Sequence, residues 1–178
     1  MAQIADRMIR AAKLDASLYD EIARDETTMG EAVTVVLIAA AAAGLGAALA
    51  GPIGLIGGAV VALVGWFVQA VLAYYVGTKM IPDSDTRTDL SSVLRVTGYA
   101  SAPGVIAALG FIPVLGTMAM FAAGLWQLAA FIVAIRVVMN FDGNGKAVMV
   151  VLIGWVVKMA IAGLFMFVGL GGALMMAS

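Results

Sequence analysis

Residues 95–127 read RVTGYASAPGVIAALGFIPVLGTMAMFAAGLWQ, inside the longest apolar run of the chain, which opens after Arg95 and closes only at Arg136. From Val96 to Ile135 the strongly polar side chains are Thr97, Ser101, Thr117 and Gln127, with Tyr99 amphipathic. Those 40 residues are about twice the ~20 that carry a helix once across a hydrocarbon core. The run therefore predicts two spans folded back on each other, with Pro113 and Gly116 at the hairpin; a shallow re-entrant hairpin is the alternative. Gly98 and Ala102 stand four apart on one face of the first of these spans, a small-xxx-small pair that lets a neighbouring backbone come close. Pro103 has no amide hydrogen, so the helix is expected to bend there and free the carbonyl of Tyr99.

Working outward, composition points the same way. The 178 residues are 63% apolar and 12% charged, whereas soluble domains run near ~25% charged. The chain reads as an all-α membrane protein, a five-transmembrane-helix bundle preceded by an N-terminal amphipathic helical segment. The expected spans are about 32–50, 55–77, 96–112, 117–139 and 147–176, which make residues 32–178 the membrane domain. Gly51-Pro52 ends the first span, and Tyr74, Tyr75 and Lys79 close the second as an interfacial anchor. Pro82-Asp-Ser-Asp85 is turn chemistry, and Thr86-x-x-Asp89 is a helix-start signal. With no long apolar segment near Met1, the first span is expected to act as an uncleaved signal anchor.

Residues 1–31 carry four basic and seven acidic side chains. Ile4, Met8, Ala11, Leu14, Leu18 and Ile22 recur at helical spacing. An anionic-lipid anchor would carry a basic excess, and this segment is net acidic. It either packs on the protein's own cytoplasmic face or docks a protein partner. On the docking reading, removal of residues 1–26 is expected to end partner capture and leave the bundle folded.

Sidedness follows from the cations. Four Lys and Arg lie in the N-terminal segment, three (Lys79, Arg87, Arg95) between the second and third spans, and two (Arg136, Lys146) between the fourth and fifth. The other two connections and the C-terminal tail carry none. By the positive-inside rule the N-terminus is cytoplasmic and the C-terminus is outside or lumenal.

The segments Arg95-x-x-Gly-Tyr-Ala-x-Ala-Pro103, Gly110-Phe-Ile-Pro-x-x-Gly116 and Gly124-Leu-Trp-Gln127 resemble the Yip domain family, polytopic membrane proteins named for binding Ypt/Rab GTPases. The likeness extends to Lys13-Leu-Asp15, Tyr19-Asp-Glu-Ile-Ala23, Tyr75-Val-Gly-Thr-Lys79 and Ala134-Ile-Arg136. It is closer to the prokaryotic branch, and the Asp-Leu-Tyr-Gly-Pro motif that precedes the spans in the eukaryotic branch is absent. The resemblance implies a non-enzymatic membrane scaffold or adaptor, acting in membrane organisation or trafficking, with a small-GTPase-like partner. It marks Arg95, Gly98, Tyr99, Ala102, Pro103, Pro113, Gly116, Trp126 and Gln127 as the motif and packing residues.

Candidate chemistry is sparse. With no histidine or cysteine there is no thiolate nucleophile and no ordinary zinc site. Gly143-Asn-Gly-Lys146 is a turn and not a phosphate-cradling loop, and no carboxylate lies inside an expected span. No enzymatic activity, cofactor, metal or nucleic-acid partner is expected; membrane lipids, a cytoplasmic protein and further copies of the chain are the expected partners. Lys158 is the one cation in an apolar stretch. If the last span starts at Ala147 it lies near mid-depth, where insertion costs about 2.5–3.5 kcal/mol; if the span starts near Trp155 it snorkels to the interface. Gln69 and Gln127 stand near span centres, where each amide needs an interhelical partner. Trp126 is expected to pack into the bundle. A second reading joins Gln69, Tyr99, Ser101, Gln127 and Lys158 as a polar pathway, which makes the protein a small transporter or channel. The twelve Met residues read as core filler.

Overall fold

The computed structural model describes the backbone of residues 2–177 and the side chains of residues 3–49 and 51–160. Among the described residues every regular element is helical. Seven α-helices run in chain order: α1 (Ala2–Ala12), α2 (Ala16–Arg24), α3 (Met29–Gly46), α4 (Gly51–Tyr75), α5 (Leu90–Ala100), α6 (Leu115–Val138) and α7 (Asn144–Ala177). Three of the described helical stretches are long and apolar enough to cross a membrane, namely Glu26–Gly46, Gly51–Met80 and Leu115–Val138. A bent pair, Leu90–Ala100 with Ala102–Phe111, makes up to a fourth if it is counted as one broken span and not as a re-entrant loop. The expected fifth span, 147–176, lies on α7, and the side chains of its outer half, including Gly171-Gly172, fall outside the described residues.

Local signals explain where the helices begin. Asp15 caps α2 by accepting the amide hydrogens of Ser17 and Leu18, donors that a helix start otherwise leaves unpaired. Asp89 does the same for α5 through Ser92. Thr86 is not part of that cap; its hydroxyl oxygen accepts the Asp83 amide hydrogen and closes the preceding turn. Between α3 and α4, Gly51 takes φ +75°, a left-handed conformation that glycine adopts without a Cβ clash.

The third span departs from a simple bent helix. Beyond Ser101 the chain tightens into ten residues of 3-10 helix, Ala102–Phe111, inclined 44° to α5. Pro103 supplies the cause, since the Tyr99 carbonyl has no amide to meet at i+4 and the Ser101 amide closes on Gly98 instead. Runs of 3-10 helix longer than about four residues are uncommon, and packing against α3 holds this one. The stripe Ala32, Ala39, Gly46 of α3 meets Gly98, Gly104 and the Ala107–Gly110 turn in that order. Fourteen α-helical steps on α3 rise about 21 Å. Twelve steps from Gly98 to Gly110 match them because nine rise about 2.0 Å each rather than 1.5 Å. The pair thus packs along α3 from Ala32 to Gly46.

Close approach needs small residues at those contacts. A Cβ at Gly98 would lie 3.0 Å from the Ala32 Cβ, and one at Gly58 of α4 would lie 3.0 Å from the Ala43 carbonyl oxygen. At Gly46 it would run into the Ala107 carbonyl, and at Gly116 into that of Gly110. The hairpin between the 3-10 segment and α6 closes at Ile112–Val114, where Val114 takes φ +68° and the Gly116 amide donates to the Ile112 carbonyl at 2.6 Å.

The two ends of the bundle differ. The turn after α3 and the turn at Ile112–Val114 lie together at one end, through Gly46 and Gly110. At the other end the connection after α4 meets the start of α7, where Lys146 pairs with Asp83 at 3.0 Å and Gly77 packs on Met139. The N-terminal helices sit on the flank of the bundle near this second end, with Leu18, Tyr19 and Ile22 fully buried. Burying each such side chain is worth about 1.5–3 kcal/mol relative to exposing it to water.

Candidate functional site

Two places bring polar side chains together. The first joins the N-terminal helices to the bundle. Arg95 is 3% exposed, and its guanidinium donates to the carbonyls of Ile22 (3.3 Å) and Ala23 (2.8 Å) and to the hydroxyls of Ser91 (2.7 Å) and Ser92 (3.0 Å). Ile22 and Ala23 lie in the last turn of α2, whose final carbonyls have no partner within the helix. A cation there also meets the negative end of the helix dipole. Arg95 is therefore the C-terminal clamp of α2.

One turn further along α5, the Tyr99 hydroxyl donates to Glu31 at the start of α3. The same Glu31 oxygen accepts from Arg7 at 2.7 Å, and Arg7 also reaches Glu21 at 2.7 Å. Burial works against the Arg7 charge, but the hydrogen bonds to Glu31 and Glu21 outweigh it and raise its pKa. Arg10 bridges Asp15 at 2.8 Å and Glu21 at 3.4 Å. The Asp15 carboxyl is drawn down to about 2 by the Ser17 hydroxyl first and by Arg10 second. Burial pushes the Tyr19 phenol up, in keeping with a neutral hydroxyl donating to the Ala11 carbonyl at 3.0 Å. Four helices, α1, α2, α3 and α5, are thereby tied by one charged network.

Trp126 corrects an expectation. It does not pack into the bundle: it is 42% exposed, and its indole N–H donates to the carbonyl of Ala12 at the end of α1 at 2.7 Å. The inward stripe of α6 runs through Gly116, Ala123, Ala130 and Ala134, and position 126 falls on its flank, where the indole meets the end of α1.

The second place is within the span region. A cavity of about 140 Å³ lies between α3, the 3-10 segment and α6, bordered by Ser101, Gly104 and Gln127. A larger cleft of about 710 Å³ lies between α4, α6 and α7, bordered by Gln69, Gln127, Trp155 and Lys158. Trp66, Gly124 and Gln127 border both. Gln69 is 2% exposed; its amide donates to the Val151 carbonyl at 3.3 Å, while its oxygen is without a partner among the described residues. Ser101 faces its own helix, donating to the Thr97 carbonyl at 3.2 Å, and Thr97 accepts from the Trp66 indole at 3.2 Å. The proposed pathway residues therefore divide: Tyr99 belongs to the charged network, Ser101 to the small cavity, Gln69 and Lys158 to the cleft, and Gln127 joins the two cavities.

Lys158 lies well inside α7. α7 begins at Asn144, so Lys158 is about 21 Å along the helix axis at ~1.5 Å per residue. It stands level with Gly65 of α4, where a Cβ would lie 3.8 Å from the lysine Cδ. Its ammonium leans back over the Trp155 ring, 5.9 Å from the centroid, as expected for a helical side chain directed toward its own N-terminus.

Sequence reasoning missed Arg7, Glu21 and Glu31 as partners of the Tyr99 motif. Glu31 carried a signal, as the last carboxylate before the first apolar run; nothing in the spacing of the other two pointed to α3 or α5. Among the described residues no group of His, Cys, Asp or Glu is arranged to hold a metal ion.

Comparison with known proteins places these features. The Yip1 domain family model matches residues 16–175, which takes in the charged network apart from Arg7, Arg10 and Asp15, the bent pair and the cleft. No curated protein and no solved structure matches the chain.

Proposed function

The chain belongs to the Yip1 domain family, and from that premise we propose that it is a non-enzymatic, five-span membrane scaffold whose cation-rich end faces the cytoplasm. The observation that carries this reading is the docked N-terminal unit. α1 and α2 are fastened to α3 and α5 through Arg95, Arg7, Glu31 and Tyr99, and the unit exposes Asp6, Glu21 and Arg24, with Glu26 just beyond α2. The positive-inside rule puts these side chains in the cytoplasm, where a protein partner would meet them. Mixed charge on a rigid platform suits partner selection and contact rate more than raw affinity. A small GTPase is the partner class that the family name suggests.

Deleting residues 1–26 is a poor test, because it strips Arg95 of its two carbonyl acceptors, Ile22 and Ala23, inside the bundle. The cleaner experiment is charge reversal at the exposed positions, Asp6→Lys with Glu26→Lys, followed by crosslinking in native membranes and identification of the neighbours. Loss of specific neighbours with an unchanged melting temperature supports the scaffold; an unchanged set of neighbours counts against it. The adjoining cavities at Gln127 favour a second reading, a small transporter or channel. Solute flux through reconstituted liposomes that is lost in Lys158→Leu would support it.

A further inference from the structure

The cleft between α4, α6 and α7 is open toward the side of the bundle, where Val61 is 71% and Met159 60% exposed. Its volume of about 710 Å³ falls in the ~300–1,000 Å³ range of small-molecule sites. Its walls are apolar, and the polar exceptions are Lys158, Gln69 and Gln127. Among the described residues Lys158 has the Trp155 ring as its neighbour and no carboxylate partner. An ammonium in such a place calls for an anion.

Depth selects the anion. From Ala147 to Lys158 is about 16 Å of helix, and the side chain recovers only part of that distance toward the interface. A diacyl phospholipid keeps its phosphate outside the hydrocarbon core, beyond reach of this nitrogen. A single-chain acid can slide inward, because its carboxyl crosses apolar regions as the neutral acid and gives up its proton on meeting a basic group. Glycines leave room for the chain, since the Cα of Gly124 faces open space on the cleft wall.

We propose that this cleft is a lateral binding site for a long-chain fatty acid, with the carboxylate on Lys158 and the chain along Val60, Val64 and Met159. This proposal stands apart from the scaffold reading and needs no partner protein.

The test uses the full chain in nanodiscs of phosphatidylcholine with a diazirine-bearing palmitate analogue. Saturable labelling of peptides from α4 and α7 is expected, competed by palmitate and not by phosphatidylglycerol. Lys158→Leu should weaken apparent affinity about tenfold or more, from loss of a charge-assisted hydrogen bond, and Lys158→Arg should retain binding. Gly124→Leu fills the cleft with the lysine intact and should abolish labelling with the melting temperature unchanged. Labelling that persists in both Lys158→Leu and Gly124→Leu overturns the proposal. Competition by phosphatidylglycerol equal to that by palmitate does so too, since it would assign the site to bilayer phospholipid.

Discussion

Replacing Arg95 with methionine keeps most of the buried stem and removes the guanidinium. Two carbonyls then lose their charged donor, those of Ile22 and Ala23, with only the Ser92 hydroxyl left to Ala23 at 3.3 Å; both lie in the last turn of α2, where no helical amide can replace the guanidinium. At about 1.5 kcal/mol for each bond to a charged group, the α1–α2 unit loses about 3 kcal/mol of docking energy. At ~1.4 kcal/mol per tenfold, the undocked population rises roughly a hundredfold. The chain has no cysteine, so a single Ala11→Cys, at a position fully buried in the docked unit, reports undocking by its rate of reaction with a membrane-impermeant maleimide. Slow reaction is expected with Arg95 in place and a rate raised by about two orders of magnitude in Arg95→Met. Arg95→Lys should fall between them, because an ammonium keeps the charge at the helix terminus but not the planar fork. An unchanged rate in Arg95→Met would refute the clamp and with it the rigid platform on which the scaffold reading stands.

Other consequences are open to measurement. Gly46→Ala drives a Cβ into the Ala107 carbonyl and should cost about 1–3 kcal/mol, visible as a lower melting temperature in detergent. Gly124→Ala meets open space and should leave that midpoint unchanged. The Asp15 carboxyl is lower when folded, at about 2, than its ordinary value of 3.8. Its stabilising effect is therefore complete above pH ~4 and lost as pH falls through the folded value. With Trp66 and Trp155 replaced by phenylalanine, Trp126 emission should track undocking over that window, and Asp15→Asn should flatten the dependence. Cysteines placed singly at Gln3 and Ser178 should react from opposite sides of the membrane, and labelling of both from one side would sink the five-span orientation.

Membrane class was legible from one quantity, the length of the apolar runs, because a bilayer admits backbone only as internally bonded helix or closed barrel. Helix ends were legible where short polar side chains cap them, as at Asp89, and breaks where proline removes a donor, as at Pro103. Gly98 against Ala32 follows from the same local logic of small residues. Tertiary structure alone decided the rest. That Tyr99 meets Glu31, 68 residues away, and that Arg95 clamps α2 rather than marking a membrane boundary, depend on which helices become neighbours, and no spacing within one helix encodes that. The length of the 3-10 segment was set by its match to α3, and the environment of Lys158 by the start of α7 at Asn144. Trp126 was misplaced for the same reason: periodicity ranks the faces of a helix by polarity but cannot say which neighbour arrives to cover each one.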